Sequence, residues 1–394
     1  IEVGFKNTIS EKIDSIVNYA INEKMIPGAQ VLVSKDAKII HEKAYGTFRY
    51  SKSNKVTTET IYDLASLTKI LVTTPLMMRL IQEKKIKIND KIGSLIPRYE
   101  NSNKSNITIK ELLSGYAGLV PWIPFYSETL NSDLKPSKEF YSLKQKVRFN
   151  IKVAPNLYLK DSYRDSIFEK IKTSPISDDK GKYSDLAFLM LQEYIENEYQ
   201  ENLDQIIKRN LFSKIGIDLT YNPASIISTK NITPSEIDNY FRYKEIHGYV
   251  HDMAASMLGG IAGHAGLFGS AIEVAKMMQL FLQGGEYGDL KFVNKEIVDL
   301  FNTCHYCEYD NRRGLGFDKP QIEGDGPTCG CLSNKSFGHS GWTGTYTWAD
   351  PETDIVYVFL SNRSYPDGEA ANKSKLVKEN IRSDIQRVIY QSLD

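Results

Sequence analysis

The strand-like runs of this 394-residue chain stand at its two ends, and the periodic segments between them read mostly as helix. Near the start, an amphipathic helix from about Ile9 to Lys24 carries Ile9, Ile13, Ile16, Val17, Ala20 and Ile21 on one stripe and stops at Pro27-Gly28. Ala29 to Ser34 and Ile39 to Tyr45 follow as a hairpin joined at Lys35-Asp36-Ala37-Lys38. Near the end, Gly344 to Ala349 and Ile355 to Ser361 are again strand-like, with Asp350 to Asp354 as their turn, and a helix from about Lys373 to Leu393 closes the chain. The segments around Leu67 to Gln82, Ile109 to Leu113, Leu186 to Ile195, Leu203 to Phe212 and Ile272 to Leu282 are helical by period. The simplest assembly is an α+β fold, an α/β sandwich in which both ends share one antiparallel sheet flanked by helices. On this reading residues 1–64 and 270–394 form a sheet lobe, residues 65–269 a mostly helical lobe inserted into it, and a cleft lies where the two meet.

Forty-nine basic and 49 acidic residues give a formal net charge of zero, and the two signs are interspersed. Neither nucleic acid nor an anionic membrane is therefore the expected partner; a small, roughly neutral ligand fits better. No stretch reaches the ~18 uninterrupted apolar residues of a membrane span. All four cysteines cluster as Cys304-x-x-Cys307 and Cys329-x-Cys331. They could clip a loop through disulfides in an oxidising compartment, hold a structural zinc through four thiolates, or stay free. In each case their role is structural, and no other cofactor is expected.

Ser66-Leu67-Thr68-Lys69 places a lysine one helical turn after a serine at the head of an apolar run. Side chains at i and i+3 share a helix face, so a desolvated, neutral Lys69 could take the proton of Ser66 and make it a nucleophile. The same spacing recurs at Ser132 to Lys135 and Ser177 to Lys180, but there the surroundings read as loop. For Ser66 alone, a first-turn serine of a helix explains the residue equally well. Two later segments tip the balance. Tyr183-Ser184-Asp185 precedes the apolar helical run from Leu186, and a tyrosine near a lysine can carry a lowered pKa and move protons. His339-Ser340-Gly341-Trp342 precedes the strand from Gly344. A glycine on an edge strand lets a substrate approach, and the N–H groups of Trp342 and Ser66 can face a developing oxyanion.

These three motifs, in this order, resemble those of the serine β-lactamase and penicillin-binding protein family, in the branch of class C β-lactamases, DD-carboxypeptidases and related esterases. Pro27-Gly28-Ala29, Ile107 to Leu119 and Gly338 to Asp350 extend the resemblance over essentially the whole chain. It implies a β-lactamase/transpeptidase-like fold and an acyl-enzyme on Ser66. Lys69, Tyr183, Asp185 and His339 would complete the catalytic set, with Gly341 and Trp342 along the acyl-binding edge. Two positions depart from the pattern. Asp185 stands where the family has Asn, which favours a charged Lys69, and His339 stands where β-lactamases of this branch have Lys. Both point away from a true β-lactamase.

A finer resemblance, carried by His247 to Asp252, Gly259 to Phe268 and Trp122 to Tyr126, is to the N-acetylmuramyl-L-alanine amidases of cell-wall recycling. It implies a muropeptide substrate with Trp122 and His264 at the cleft, and an exported enzyme of the bacterial periplasm or cell envelope. It also implies the C-terminal part of a fusion with a family 3 glycosidase, which suits a chain that begins at Ile1. His251, Asp252 and His264 could be drawn as a metal site, but a glycine-rich loop with hydrogen-bonded histidines is the preferred reading. The alternatives to a muropeptide hydrolase are a general esterase or weak β-lactamase and, from another class, a non-catalytic penicillin sensor.

Overall fold

The computed structural model describes residues 4–6, 8–51, 54–321, 323–324, 326–367 and 371–393. The sheet is built from α1 (Ile9–Asn22), β1 (Gly28–Lys35) and β2 (Lys38–Gly46) at one end of the chain. From the other end come β3 (Phe337–Ser340), β4 (Tyr346–Asp350) and β5 (Ile355–Ser361). All five strands pair antiparallel in the order β3-β4-β5-β1-β2, so the two ends join where Val31 opposes Phe359. Both hairpins are present as the sequence suggests. β3 adds an edge strand that pairs His339 with Thr347.

Alternation on β5 explains the layering. Ile355, Tyr357 and Phe359 face a core shared with Ala29, Val31 and Val33 of β1, the Ile9, Ile13 and Val17 stripe of α1, and Ile381, Ile385 and Ile389 of the C-terminal helix. Val356, Val358 and Leu360 face the larger core on the other side, which contains Val274, Met277, Met278 and Phe281 of the helix Ala271–Leu282. That helix starts on a capping box of Ser270 and Glu273, and the buried Gln30 of β1 accepts its Ala271 N–H at 2.8 Å. Among the described residues no helix is long and apolar enough to cross a membrane.

Three differences from the sequence expectations have local causes. The closing helix is two helices, Ala371–Lys378 and Ile381–Gln391, because Asn380 takes a left-handed conformation with φ of 54°. The Leu67 to Gln82 segment is buried on almost every side rather than amphipathic, and it opens with a π turn over Lys69–Thr73 before the α-helix Thr74–Gln82. Pro75 lacks the N–H that a regular helix would offer the Leu71 carbonyl, so the wider turn precedes it. Finally, short elements lie in stretches where no period is visible. They include the ribbon of Tyr141–Ser142, Leu157–Leu159 and Ile151–Ala154, the hairpin of Pro234–Asp238 with Lys244–His247, and the helix Tyr163–Thr173.

Candidate active site

Ser66 sits on a forced turn. The chain leaves the short strand Tyr62–Asp63, passes Ala65 in a left-handed conformation with φ of 48°, and enters the helical turns from Leu67. An alanine holds that conformation only when its surroundings fix it. Here the buried Asp63 carboxylate does so: one oxygen accepts the Ala65 N–H at 2.9 Å and the other the His251 N–H at 2.6 Å. Thr343 and Thr345, at the turn after β3, donate their hydroxyls to the Asp63 and Leu64 carbonyls at 2.8 and 2.9 Å. The edge of the sheet is thus tied to the residues just before Ser66.

Lys69 is completely buried, and its ammonium reaches three acceptors: Ser66 Oγ at 2.9 Å, the His264 carbonyl at 3.1 Å and the Asp185 carboxylate at 2.8 Å. Burial alone would lower its pKa, but the Asp185 charge and Tyr183 override that and raise it. Lys69 is therefore held as a cation, not as the neutral base drawn from the spacing alone. Tyr183 also corrects an expectation. Burial pushes its pKa up to about 12, Asp185 pushes the same way, and the lowering by Lys69 and by its hydrogen bond with Ser66 does not compensate. In the resting site Lys69 is charged and Tyr183 protonated.

His339 is buried, with Nδ1 2.7 Å from the Ser340 carbonyl, a geometry that assigns the N–H to Nδ1. Burial lowers its pKa, more than Asp318 raises it, so the ring is neutral near pH 7 and Nε2 is an acceptor. Its ring lies 6.1 Å from that of Tyr183. Gly341 is a close-packing point. A Cβ there would fall 2.1 Å from Thr345 Oγ1, 2.8 Å from the Leu64 carbonyl and 3.1 Å from Ala65 Cβ. Gly341→Ala is expected to push the turn after β3 away from Ser66, costing about 1–3 kcal/mol of stability and roughly 100-fold in kcat/KM. Thermal melting together with ester hydrolysis checks it.

The N–H groups of Ser66 and Trp342 donate to no other group of the protein among the described residues. A cleft of about 920 Å³ opens over Ser66. Trp122 and Trp342, each more than half exposed, line it together with Tyr183, Asp185, His264 and Gly341. His264 contributes its backbone carbonyl to Lys69, while its ring pairs with Asp252 at 2.9 Å; His251 pairs separately with Glu236 at 2.9 Å. The two histidines thus have different carboxylate partners. Around them the loop needs its glycines: Gly260 has φ of 83°, and a Cβ on it would strike the Asn222 side chain. The cysteines are joined within each pair, Cys304 to Cys307 and Cys329 to Cys331, the disulfide alternative.

Sequence reading missed Asp63, Arg313 and Asp318. Arg313 lies over the Tyr183 ring at 5.4 Å and pairs with Asp318 at 3.2 Å, and Arg312 shares that carboxylate at 3.3 Å. Despite burial, His339 and the two arginines draw the Asp318 pKa down to about 2. An arginine pair followed by an aspartate carries no recognisable spacing, so only the fold reveals them.

Residues 6–380 match the protein-family profile described as Beta-lactamase. A relative from Escherichia coli (strain K12), named "Putative D-alanyl-D-alanine carboxypeptidase", is 31% identical over 372 residues, covering 86% of this chain and 79% of its own. One of the same name from Salmonella enteritidis PT4 (strain P125109) is 31% identical over 408 residues, covering 94% and 86%. Among solved structures, "EstCE1, a hydrolase with promiscuous acyltransferase activity" superposes with a TM-score of 0.68 at 18% identity, covering 97% of this chain and 98% of that one. A penicillin-binding protein homolog from Caulobacter crescentus reaches the same score at 13% identity, covering 99% of both. These two likenesses are of fold.

Proposed function

The chain belongs to the β-lactamase family of hydrolases, and from that premise we propose that it is a serine hydrolase cutting an amide or ester of a peptidoglycan-derived fragment through an acyl-enzyme on Ser66. The observation that carries this reading is the position of Lys69 Nζ, buried and within 2.9 Å of both Ser66 Oγ and the Asp185 carboxylate, two groups that line the cleft.

The roles follow from the contacts. Ser66 Oγ attacks the carbonyl carbon while its proton passes into the unit of Lys69, Tyr183 and Asp185. Since that unit rests with Lys69 charged and Tyr183 protonated, it must first release one proton, and the reactive form grows as pH rises. The N–H groups of Ser66 and Trp342 hold the oxyanion. Tyr183 returns a proton to the leaving group, and water then frees the acyl group. Neutral His339 and Gly341 line the edge along which the acyl chain lies. Arg313 packs over the Tyr183 ring, and Asp318, which pairs with Arg313, adds a negative charge near His339.

A carboxypeptidase or amidase of muropeptides is supported by the relatives' names and by the size of the cleft, about 920 Å³, which has Trp122 and Tyr240 as well as Ser340 and Trp342 among its lining. Such substrates belong to the bacterial cell envelope, and the two disulfides suit an exported protein. A second reading, a general esterase, is favoured by one wall of the cleft, where Trp122, Ile123, Phe125, Tyr126 and Met253 present an apolar surface. Incubation with purified muropeptides and with p-nitrophenyl esters separates the two. Cleavage of muropeptides by the wild type, lost by about 10⁴-fold or more in Ser66→Ala, supports the first reading. Rapid ester cleavage with intact muropeptides rejects it in favour of the second.

A further inference from the structure

Lys69 has three acceptors, and only one of them can also give up a hydrogen. Its ammonium carries three N–H groups and directs them at Ser66 Oγ, the Asp185 carboxylate and the His264 carbonyl, at 2.9, 2.8 and 3.1 Å. Once a proton has left Lys69, the amine keeps two N–H groups and gains a lone pair. The carboxylate and the carbonyl can only accept, whereas the Ser66 hydroxyl can donate. With both acceptors in place, the two N–H groups stay on them and the lone pair falls toward Ser66. Without the His264 carbonyl, the amine would be free to turn a hydrogen toward Ser66 instead.

The position of that carbonyl depends on the His264 ring. Just before it, Gly263 is tied on both sides: its N–H donates to Gln192 Oε1 at 2.9 Å, and its carbonyl accepts the Thr73 hydroxyl at 2.7 Å. Just after it, the Ala265 N–H donates to no protein group among the described residues. The remaining freedom therefore lies in the torsions of His264 itself, and the ring has one polar anchor to fix them. Nε2 lies 2.9 Å from Asp252 Oδ1, which assigns the N–H there, while Nδ1 is buried with no hydrogen-bond partner among the described residues. Asp252 is held in turn, because the same oxygen accepts the Ala255 N–H at 2.7 Å and caps the helix Met253–Met257. The preceding residue, His251, donates its N–H to Asp63, whose other oxygen fixes Ala65 ahead of Ser66. Two consecutive residues thus reach Ser66 and Lys69 by separate routes.

We propose that His264, anchored by Asp252, is a positioning residue for the proton transfer: its ring fixes its own carbonyl on Lys69, and that carbonyl aims the amine lone pair at Ser66. The residue acts through Lys69, by geometry, and exchanges no proton itself. The inference rests on the proposed serine hydrolase reaction at Ser66, but not on the natural substrate being a muropeptide.

The test measures kcat and KM for p-nitrophenyl acetate on the full chain, with thermal melting as the check on folding. His264→Met keeps much of the bulk and loses the N–H, whereas His264→Gln keeps an N–H at similar reach. Asp252→Ser still caps its helix but is too short to meet the ring. His264→Met and Asp252→Ser are each expected to lower kcat by about 10–100-fold, the cost of a misplaced group, with KM within about twofold of the wild type. His264→Gln should recover most of that loss, and the double variant His264→Met with Asp252→Ser should lose no more than either change alone. The proposal is overturned if His264→Met keeps the wild-type kcat, if a folded His264→Gln is as slow as His264→Met, or if the two single losses multiply. It is equally overturned if KM rises at constant kcat, the signature of a ring that only binds substrate. Should His264→Met fail to fold, Asp252→Ser set against His264→Gln decides by the same criteria. A wild type with no ester hydrolysis dependent on Ser66 would reject the hydrolase reading and this inference with it, whereas an active wild type with unimpaired variants rejects the positioning role alone.

Discussion

Lys69→Met is expected to lower kcat/KM for any ester or amide substrate by about 10²–10⁴-fold, the usual worth of a positioned proton-transfer group. Methionine nearly matches the volume of the lysine stem, so the packing around the buried position is kept. Asp185 then loses its cation, yet its side chain is 26% exposed and can be hydrated from the cleft. The protein should accordingly still fold, with a circular dichroism spectrum like that of the wild type. Retained folding with lost turnover is the expected pattern; retained turnover would remove Lys69 from the chemistry.

The second large effect concerns pH. Asp185 raises the pKa of Lys69 and also that of Tyr183, so its charge keeps the unit fully protonated to higher pH. The form that can accept the Ser66 proton has lost one proton from this unit, and kcat/KM should rise with pH as that form accumulates. Asp185→Asn removes the anion. Both pKa values then fall, the productive form appears earlier, and the rising limb of the profile moves to lower pH by at least about one unit. The sign is the essential part: an aspartate that served as the general base itself would give the opposite result, loss of activity without a displaced limb. A pH series of ester hydrolysis for both proteins reads it directly.

Much of this architecture is visible in the linear chain, for identifiable reasons. The two terminal hairpins alternate over long runs, and α1 repeats its isoleucines at helical spacing, so both stand out from a single sequence. β3 is only four residues long and contains Gly338 and His339, so it is legible as a motif and not as a strand. The break at Asn380 is hidden because asparagine is acceptable in a helix and only its backbone angle ends one.

The site divides along the same line. Ser66 and Lys69 are neighbours by helical geometry, which local spacing encodes. That Lys69 is charged and Tyr183 protonated depends on Asp185, more than a hundred residues from Lys69, and on complete burial. The left-handed Ala65 depends on a carboxylate two residues earlier that also holds the His251 N–H, and Arg313 meets Tyr183 only through the fold. Protonation state and strain are properties of the assembled cleft, and no pattern of residue types announces them.

Mass spectrometry of the protein quenched during turnover of a p-nitrophenyl ester tests the central claim most directly. The account predicts a mass increase equal to the acyl group, mapped to the peptide containing Ser66, absent from Ser66→Ala, and lost again once the ester is consumed. Persistence of the adduct without turnover would make the protein an acylated sensor. Turnover with no adduct on Ser66, or with full rate in Ser66→Ala, would contradict the mechanism outright.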